Sequence, residues 1–350
     1  MAESRKKEKI ISSESIIQKA ISIARKDSDY GLRLFASSDI CQALSKAGEI
    51  ERALDVVKEI GKFRFALNPE LVDGKCAFAL SNISKALAET GQMERAKRMV
   101  EEALSITKKI DNDGVRSEAS LGVSGALAKV GEIDKALDIA REISHEWRPS
   151  ALSDISQTLT KVRQIQKAKE ATKEALDIAR IISSDTYRVR ALSDISVALA
   201  KAGELEKAKK VIEEALDITE GIHDRTKYDT SHWFALLDVV QALASTGEPM
   251  RALDIAKGIS FDRARVHAFS SISEALVKDG KTEKAKEIIE EALNITKGMS
   301  VDWIRSVALS KIYAVLRLIE QAQCLTSVDM EEESKKEEPK KRGFFKKLFG

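Results

Sequence analysis

One submotif recurs seven times along the chain and an eighth time in part. Its clearest copy is ALSDISVALAKAGELEKA, residues 191–208. The turn residues are Gly48, Gly91, Gly131, Arg163, Gly203, Gly247 and Gly280, at spacings of 43, 40, 32, 40, 44 and 33. A period of this length marks a stack of supersecondary units, each too small to bury its apolar face alone. The 350 residues therefore read as one long body, although their number would suit two ordinary domains.

The positions around each turn say what the units are. Four residues before it stand Leu44, Leu87, Leu127, Leu159, Leu199, Leu243 and Leu276. Eight before it stand Ile40, Ile83, Val123, Ile155, Ile195, Val239 and Ile272. An apolar pair at i, i+4 marks one face of a helix. Five after it stand Ala53, Ala96, Ala136, Ala168, Ala208, Ala252 and Ala285, small enough for a second helix to approach the first. Glycine at the turn suits a left-handed helix C-cap. Arg163 in that place predicts either a different turn or about 1 kcal/mol of strain.

The pattern resembles the tetratricopeptide repeat over roughly residues 13–323. The small residue of the family's first helix falls on Ser84, Ser124, Ser156, Ser196 and Ser273. The alanines of its second helix fall on the seven above and on Ala103, Ala175, Ala215 and Ala292. The family's large aromatics are mostly Leu or Ile here, and its repeat-ending proline is missing. The resemblance implies an all-α, right-handed solenoid of helix hairpins. About sixteen helices are expected: a cap helix, seven hairpins and a final first-type helix.

The second helix is expected to be short after Gly48, Gly131 and Gly247, and about two turns longer after the other turn residues. Two insertions stand out, at residues 61–74 and 221–231. Residues 1–12 read as a disordered N-terminus, 324–342 as a charged disordered linker and 343–350 as a basic-aromatic motif.

Little in the chain points to catalysis. His145, His223, His232 and His267 show no metal-binding spacing, and neither do Cys41, Cys76 and Cys324. There is no Gly-rich phosphate loop and no nucleophile elbow. Asp39, Asp154, Asp194 and Asp238 are one position copied, which suggests structure or an extended groove. A non-enzymatic protein without metal or cofactor is expected. The sparse cysteines, the lack of an apolar core in MAESRKKEKIISSES and the lack of a spanning run point to a cytoplasmic setting.

A binding surface is the better expectation, and the resemblance implies that the first helices line it. Thirteen residues before the turn stand Phe35, Phe78, Arg190 and Phe234. Fifteen before it runs a row of Arg33, Arg116, Arg148, Arg188, Arg265 and Arg305. Asp113, Asp185, Asp262 and Asp302 each precede one of these by three residues. Arginine in a first helical turn opposes the macrodipole, so its recurrence needs a reason. The row is either a set of Asp–Arg stitches between hairpins or a ladder for an acidic or phosphorylated segment. Trp147, Trp233 and Trp303 read mainly as packing residues. The groove should hold a protein or peptide segment. Single-stranded RNA is the alternative ligand, disfavoured by 58 basic against 56 acidic residues.

In the tail, Phe344, Phe345, Leu348 and Phe349 would fall on one side of a helical turn among Lys340, Lys341, Arg342, Lys346 and Lys347. Such a motif would attract an anionic membrane surface, or dock in a partner or in the protein's own groove.

Overall fold

A computed structural model describes residues 12–225 and 231–324. The tail motif of Phe344, Phe345, Leu348 and Phe349 lies outside these residues, as do the linker and residues 1–11. The described residues form an all-α solenoid of helix hairpins, and no strand occurs among them. A lone helix α1 (Ser13–Lys26) comes first. Seven hairpins follow: α2 (Tyr30–Lys46) with α3 (Ile50–Gly61), α4 (Pro69–Glu89) with α5 (Met93–Thr107), α6 (Asp113–Lys129) with α7 (Ile133–Glu142), and α8 (Arg148–Lys161) with α9 (Ile165–Ala179). The last three are α10 (Asp185–Lys201) with α11 (Leu205–Arg225), α12 (Ser231–Ser245) with α13 (Pro249–Lys257), and α14 (Asp262–Lys278) with α15 (Thr282–Gly298). A final helix, α16, runs over residues 302–324.

Each hairpin turn is built the same way. The six glycines have φ between 75° and 94°, and Arg163 joins them at φ 62°. The next residue's amide returns to the carbonyl of the repeated leucine. Glu49 N donates to Leu44 O at 2.9 Å, Gln164 N to Leu159 O at 2.9 Å and Lys281 N to Leu276 O at 2.8 Å. This is the six-to-one bond of a Schellman stop. The turn at Arg163 is therefore the common turn, and the arginine carries the left-handed cost.

The second positions close the hairpins. All seven repeated alanines are buried, at most 1% exposed. The small residue of the first helix often donates to that alanine's carbonyl: Ser84 Oγ to Ala96 O at 2.7 Å and Ser156 Oγ to Ala168 O at 2.9 Å. A side chain larger than Ala would push the helices apart and break these bonds.

Even-numbered helices pack on one another in succession, α2 on α4, α4 on α6, and so on to α14. They make an inner layer, with the odd-numbered helices outside. The insertion at residues 61–74 resolves into a 3₁₀ turn, Lys62–Phe65, and an early start of α4 at Pro69. That at 221–231 is partly an extension of α11, and residues 226–230 are outside the described set.

The inner layer does not stop at α16. Lys311 of α16 pairs with Asp39 of α2 at 2.9 Å and donates to Gln42 at 2.5 Å. Tyr313 and Arg317 both reach Glu49, at the head of α3. On the outer side, Ser306 Oγ donates to Ala20 O of α1 at 2.8 Å, and Ser13 Oγ to Glu320 at 2.9 Å. The register is that of a hairpin. Ser306 lies one residue after Arg305, as Ser117 lies one after Arg116, and Ser117 accepts from the Ser144 amide just beyond its own second helix. Helices α16 and α1 thus form an eighth hairpin with no covalent turn, and the solenoid closes into a ring.

Two outcomes are expected on unfolding. Arg163→Gly stabilises the protein by up to about 1 kcal/mol, because glycine adopts φ 62° without the side-chain cost. An Asp39→Ala, Lys311→Ala double-mutant cycle gives a coupling of about 1–2 kcal/mol. A coupling of zero would mean that the two ends do not meet in solution.

Candidate functional site

Closure turns the concave face into a lumen. Helical periodicity brings the residues 13, 9 and 6 places before each turn to the inner face. A central cavity of about 490 Å³ is walled by seven inner helices. Phe78, Trp147, Phe234, Leu121 and Leu237 supply its apolar surface, and Asn82, Lys85, Asp154, Arg190, Asp194, Asp238, Arg263 and His267 its polar groups. A second cleft of about 510 Å³ lies between α9 and α11 on the outer layer. Leu176 and Val211 line it among Lys169, Lys173, Arg180, Glu204, Lys207 and Lys210.

At one level the lumen carries a row of carboxylates, because one position was copied. Asp154 of α8 pairs with Lys85 of α4 at 3.1 Å. That pair spans α6, whose inner positions are Gly122 and Gly125. A Cβ on Gly125 would lie 2.6 Å from the Lys85 Nζ and 3.0 Å from the Asp154 Oδ2, so only glycine leaves the bridge its path. Asp238 of α12 pairs with Arg190 of α10 at 3.3 Å. Burial raises the Asp238 carboxyl, against the pull of Arg190.

Asp194 lies between these two and has no ion pair. Burial pushes its carboxyl up to about 7, and the charges of Asp238 and Asp154 push the same way; Ser150 and Arg190 oppose them. Ser150 is 6% exposed, and its hydroxyl closes no hydrogen bond of good geometry. The Asn82 Nδ2 is likewise buried and without an acceptor.

The opposite wall is basic. Burial brings the His267 imidazole down to about 3, and Lys311 adds to the effect, so it is neutral at physiological pH. Arg263 lies over Phe234 and Trp303, with 5.8 and 4.9 Å to the ring centroids. Burial would raise Asp39, but Lys311 outweighs it and holds the carboxyl below its ordinary value.

The two mouths differ. At the C-terminal ends of the inner helices stand Lys46, Lys129, Lys161, Lys201 and Lys278, which complement the helix dipoles. Burial lowers the Lys201 ammonium, and its nearest like charge, Lys161, adds to the shift. Glu274 bridges Lys46 at 3.2 Å and Lys278 at 2.8 Å; these cations outweigh its burial and bring it to about 2.

The other mouth carries the arginine row. Arg116 donates to Ile110 O at 2.9 Å and Asp111 O at 3.0 Å, and pairs with Asp113. Arg148 donates to Ile143 O at 3.0 Å. Arg188 and Arg305 reach Ile182 O and Met299 O at 3.4 Å and pair with Asp185 and Asp302. Arg265 pairs with Asp262 at 2.6 Å. Each of the carbonyls follows the second helix of the preceding hairpin. The cation therefore answers that helix's negative end, which explains why it tolerates its own helix's positive one.

Of the expected groove residues, Phe78, Arg190 and Phe234 line the cavity. Phe35 stays 42% exposed beneath the Lys75 ammonium, 5.1 Å from its centroid. Arg116, Arg148, Arg188, Arg265 and Arg305 stand on the rim. Trp147 packs against the core, as expected, and also lines the cavity, with Arg190 5.1 Å above its ring. No group of metal-ligating residues occurs among the described residues, and no helix there is long and apolar enough to cross a membrane.

The pH dependence of stability follows from Asp194. A carboxyl raised from near 4 to about 7 stabilises the fold below pH 4 and loses that contribution as pH climbs to 7. Asp194→Asn is therefore neutral near pH 4 and stabilising by roughly 2 kcal/mol at pH 8. Thermal melts across that range check it; a variant less stable at pH 8 would contradict it.

The tetratricopeptide repeat family matches the chain at residues 79–110 and again at 189–221. These segments are the second half of α4 with α5, and most of α10 with most of α11. No curated protein matches the sequence. Among solved structures, Ton1535 from Thermococcus onnurineus NA1 is similar at 18% identity, over 84% of this chain and 94% of that one, with a TM-score of 0.32. A Rap protein complexed with Competence and Sporulation Factor is similar at 16% identity, over 83% and 78%, with a TM-score of 0.34. With two matched segments and seven hairpins of one construction, the chain carries tetratricopeptide-like repeats.

Proposed function

We propose that the protein is a non-enzymatic scaffold whose lumen grips a segment of a partner chain. The observation that carries this is the central cavity: aromatic and polar side chains from seven inner helices converge on one space of about 490 Å³. Such a volume takes a few side chains, so the occupant is a short segment and not a folded domain. Phe78, Trp147 and Phe234 offer it apolar surface, while the Asn82 Nδ2 is a buried donor without an acceptor. A carboxylate row in the middle of the lumen disfavours the phosphates of single-stranded RNA.

The rim arginines face an acidic flank of the segment in this reading, though their carbonyl bonds also favour a purely structural role. Replacing Arg188 and Arg265 with Ala separates the two: weaker capture supports recognition, and lowered stability with unchanged capture supports the stitch. The basic-aromatic tail is proposed as a tether to an anionic membrane or a second partner.

Two experiments test these points. Phe78→p-benzoylphenylalanine is expected to photo-crosslink a partner in native lysate, whereas the same group replacing Lys173 on the outer layer is not. Equal yield at both positions, or none at Phe78, removes the lumen as the site. Deleting residues 343–350 should abolish binding to phosphatidylserine vesicles without moving the melting temperature. Full binding by the shortened protein ends the tether.

A further inference from the structure

We propose that the lumen holds a basic side chain of the bound segment, arginine or lysine, seated on the carboxylate of Asp194. The proposal rests on the lumen being the segment site, and adds what anchors the segment there.

Three carboxylates stand side by side on α8, α10 and α12. The outer two each have a cation of their own: Lys85 on Asp154 at 3.1 Å and Arg190 on Asp238 at 3.3 Å. The middle one has none. The groups that act on it are Asp154, Asp238, Ser150 and Arg190, and the last is already bonded to Asp238. An enclosed carboxylate without a counter-ion is costly. It is relieved either by a proton or by a cation brought from outside.

The surroundings fit the second. Ser150 is buried, lines the cavity and turns its hydroxyl to the Asp194 carboxyl, whose charged form it favours. The aromatic walls match the stem and head of a basic residue, and the site already shows that geometry. Arg190 lies over Trp147 at 5.1 Å, and Arg263 over Phe234 at 5.8 Å. The Asn82 Nδ2 has a hydrogen to give and no acceptor, as a place for a peptide carbonyl requires. A cation so seated would sit between two engaged carboxylates and complete an alternating row of charge.

The test is a calorimetric titration of the full chain at pH 8 with N-acetyl-Phe-Arg-amide and with its citrulline analogue, which has the same shape and no charge. The arginine peptide should bind at least about tenfold more tightly. Asp194→Asn should erase that preference, and the change is nearly isosteric, so the fold is kept. Lowering the pH to 5 should weaken the arginine peptide on the natural protein and leave the Asp194→Asn variant unmoved. Equal affinities, no binding of either peptide, or a preference that survives Asp194→Asn would overturn the proposal. If photo-crosslinking from Phe78 succeeds while these titrations fail, the lumen remains the segment site and only its anchor is wrong.

Discussion

The structure depends on the pairing of α16 with α1. In an open solenoid each unit buries one face on the unit before and one on the unit after, so the end units need polar caps. Here the two ends are each other's neighbours. Ile16, Ile17, Ala20 and Ile23 of α1 are buried, as are Ser306, Val307, Ile312 and Tyr313 of α16. Each of these helices would be a poor cap, since both have faces as apolar as those of interior hairpins. Joined, they leave no end to cap. The join is held by polar bonds of defined direction, Ser306 to Ala20 and Lys311 to Asp39, besides apolar contact. Such bonds fix the register of two helices that no turn connects. The lumen exists because of this join; with it broken, the inner helices would line an open groove.

How much of this was legible in the sequence follows from the range over which each feature acts. The turn, the leucine beneath it and the alanine after it act within about ten residues, so they could be read directly. Even the two half-units were readable: the first helix matched the late part of a second-type helix, and the last matched a first-type helix. That they are two halves of one hairpin was not readable. Closure depends on the angle between successive hairpins, about an eighth of a circle each, summed around the ring. That angle is set by side-chain volumes at the inner interfaces. Gly122, for example, would place a Cβ 3.1 Å from Phe78 and 3.2 Å from Ser81. Small differences of this kind accumulate over eight steps, and no local pattern displays their sum.

The site shows a different limit. The copied aspartates are visible in the sequence, and copying argues for structure or an extended groove. In the ring three of the copies, Asp154, Asp194 and Asp238, are neighbours, and what distinguishes the four is the partner each has found. Those partners come from other registers: Lys85 lies six residues before its turn, Arg190 thirteen, and Lys311 in α16 stands in line with the aspartates themselves. A column of identical residues thus acquires different charge states from irregular surroundings. The arginine row behaves in the opposite way. Its surroundings repeat as faithfully as it does, with the carbonyls after the preceding helix waiting each time, and repetition with a repeated partner reads as construction. Trp147 escaped because it lies outside the columns that point inward. It reaches the lumen from the N-cap of α8, a position whose direction the repeat pattern does not assign.

The same reasoning explains why net charge said so little. A balance of 58 basic and 56 acidic residues suggested a neutral surface. Around the lumen, the charges are instead sorted along the axis: arginines on one rim, carboxylates in the middle, lysines at the other mouth. The rims are at helix ends, where cations settle against carbonyls and dipoles at little cost. The middle has no such source of compensation, because backbone groups within a helix bond to one another. Any charge there must be answered by a side chain or by something that enters. Asp154 and Asp238 are answered from within the fold, by Lys85 and Arg190, and Asp194 forms no ion pair among the described residues. Of the three neighbouring carboxyls the middle one is thus left to a proton or, in the reading proposed above, to a cation carried by the ligand.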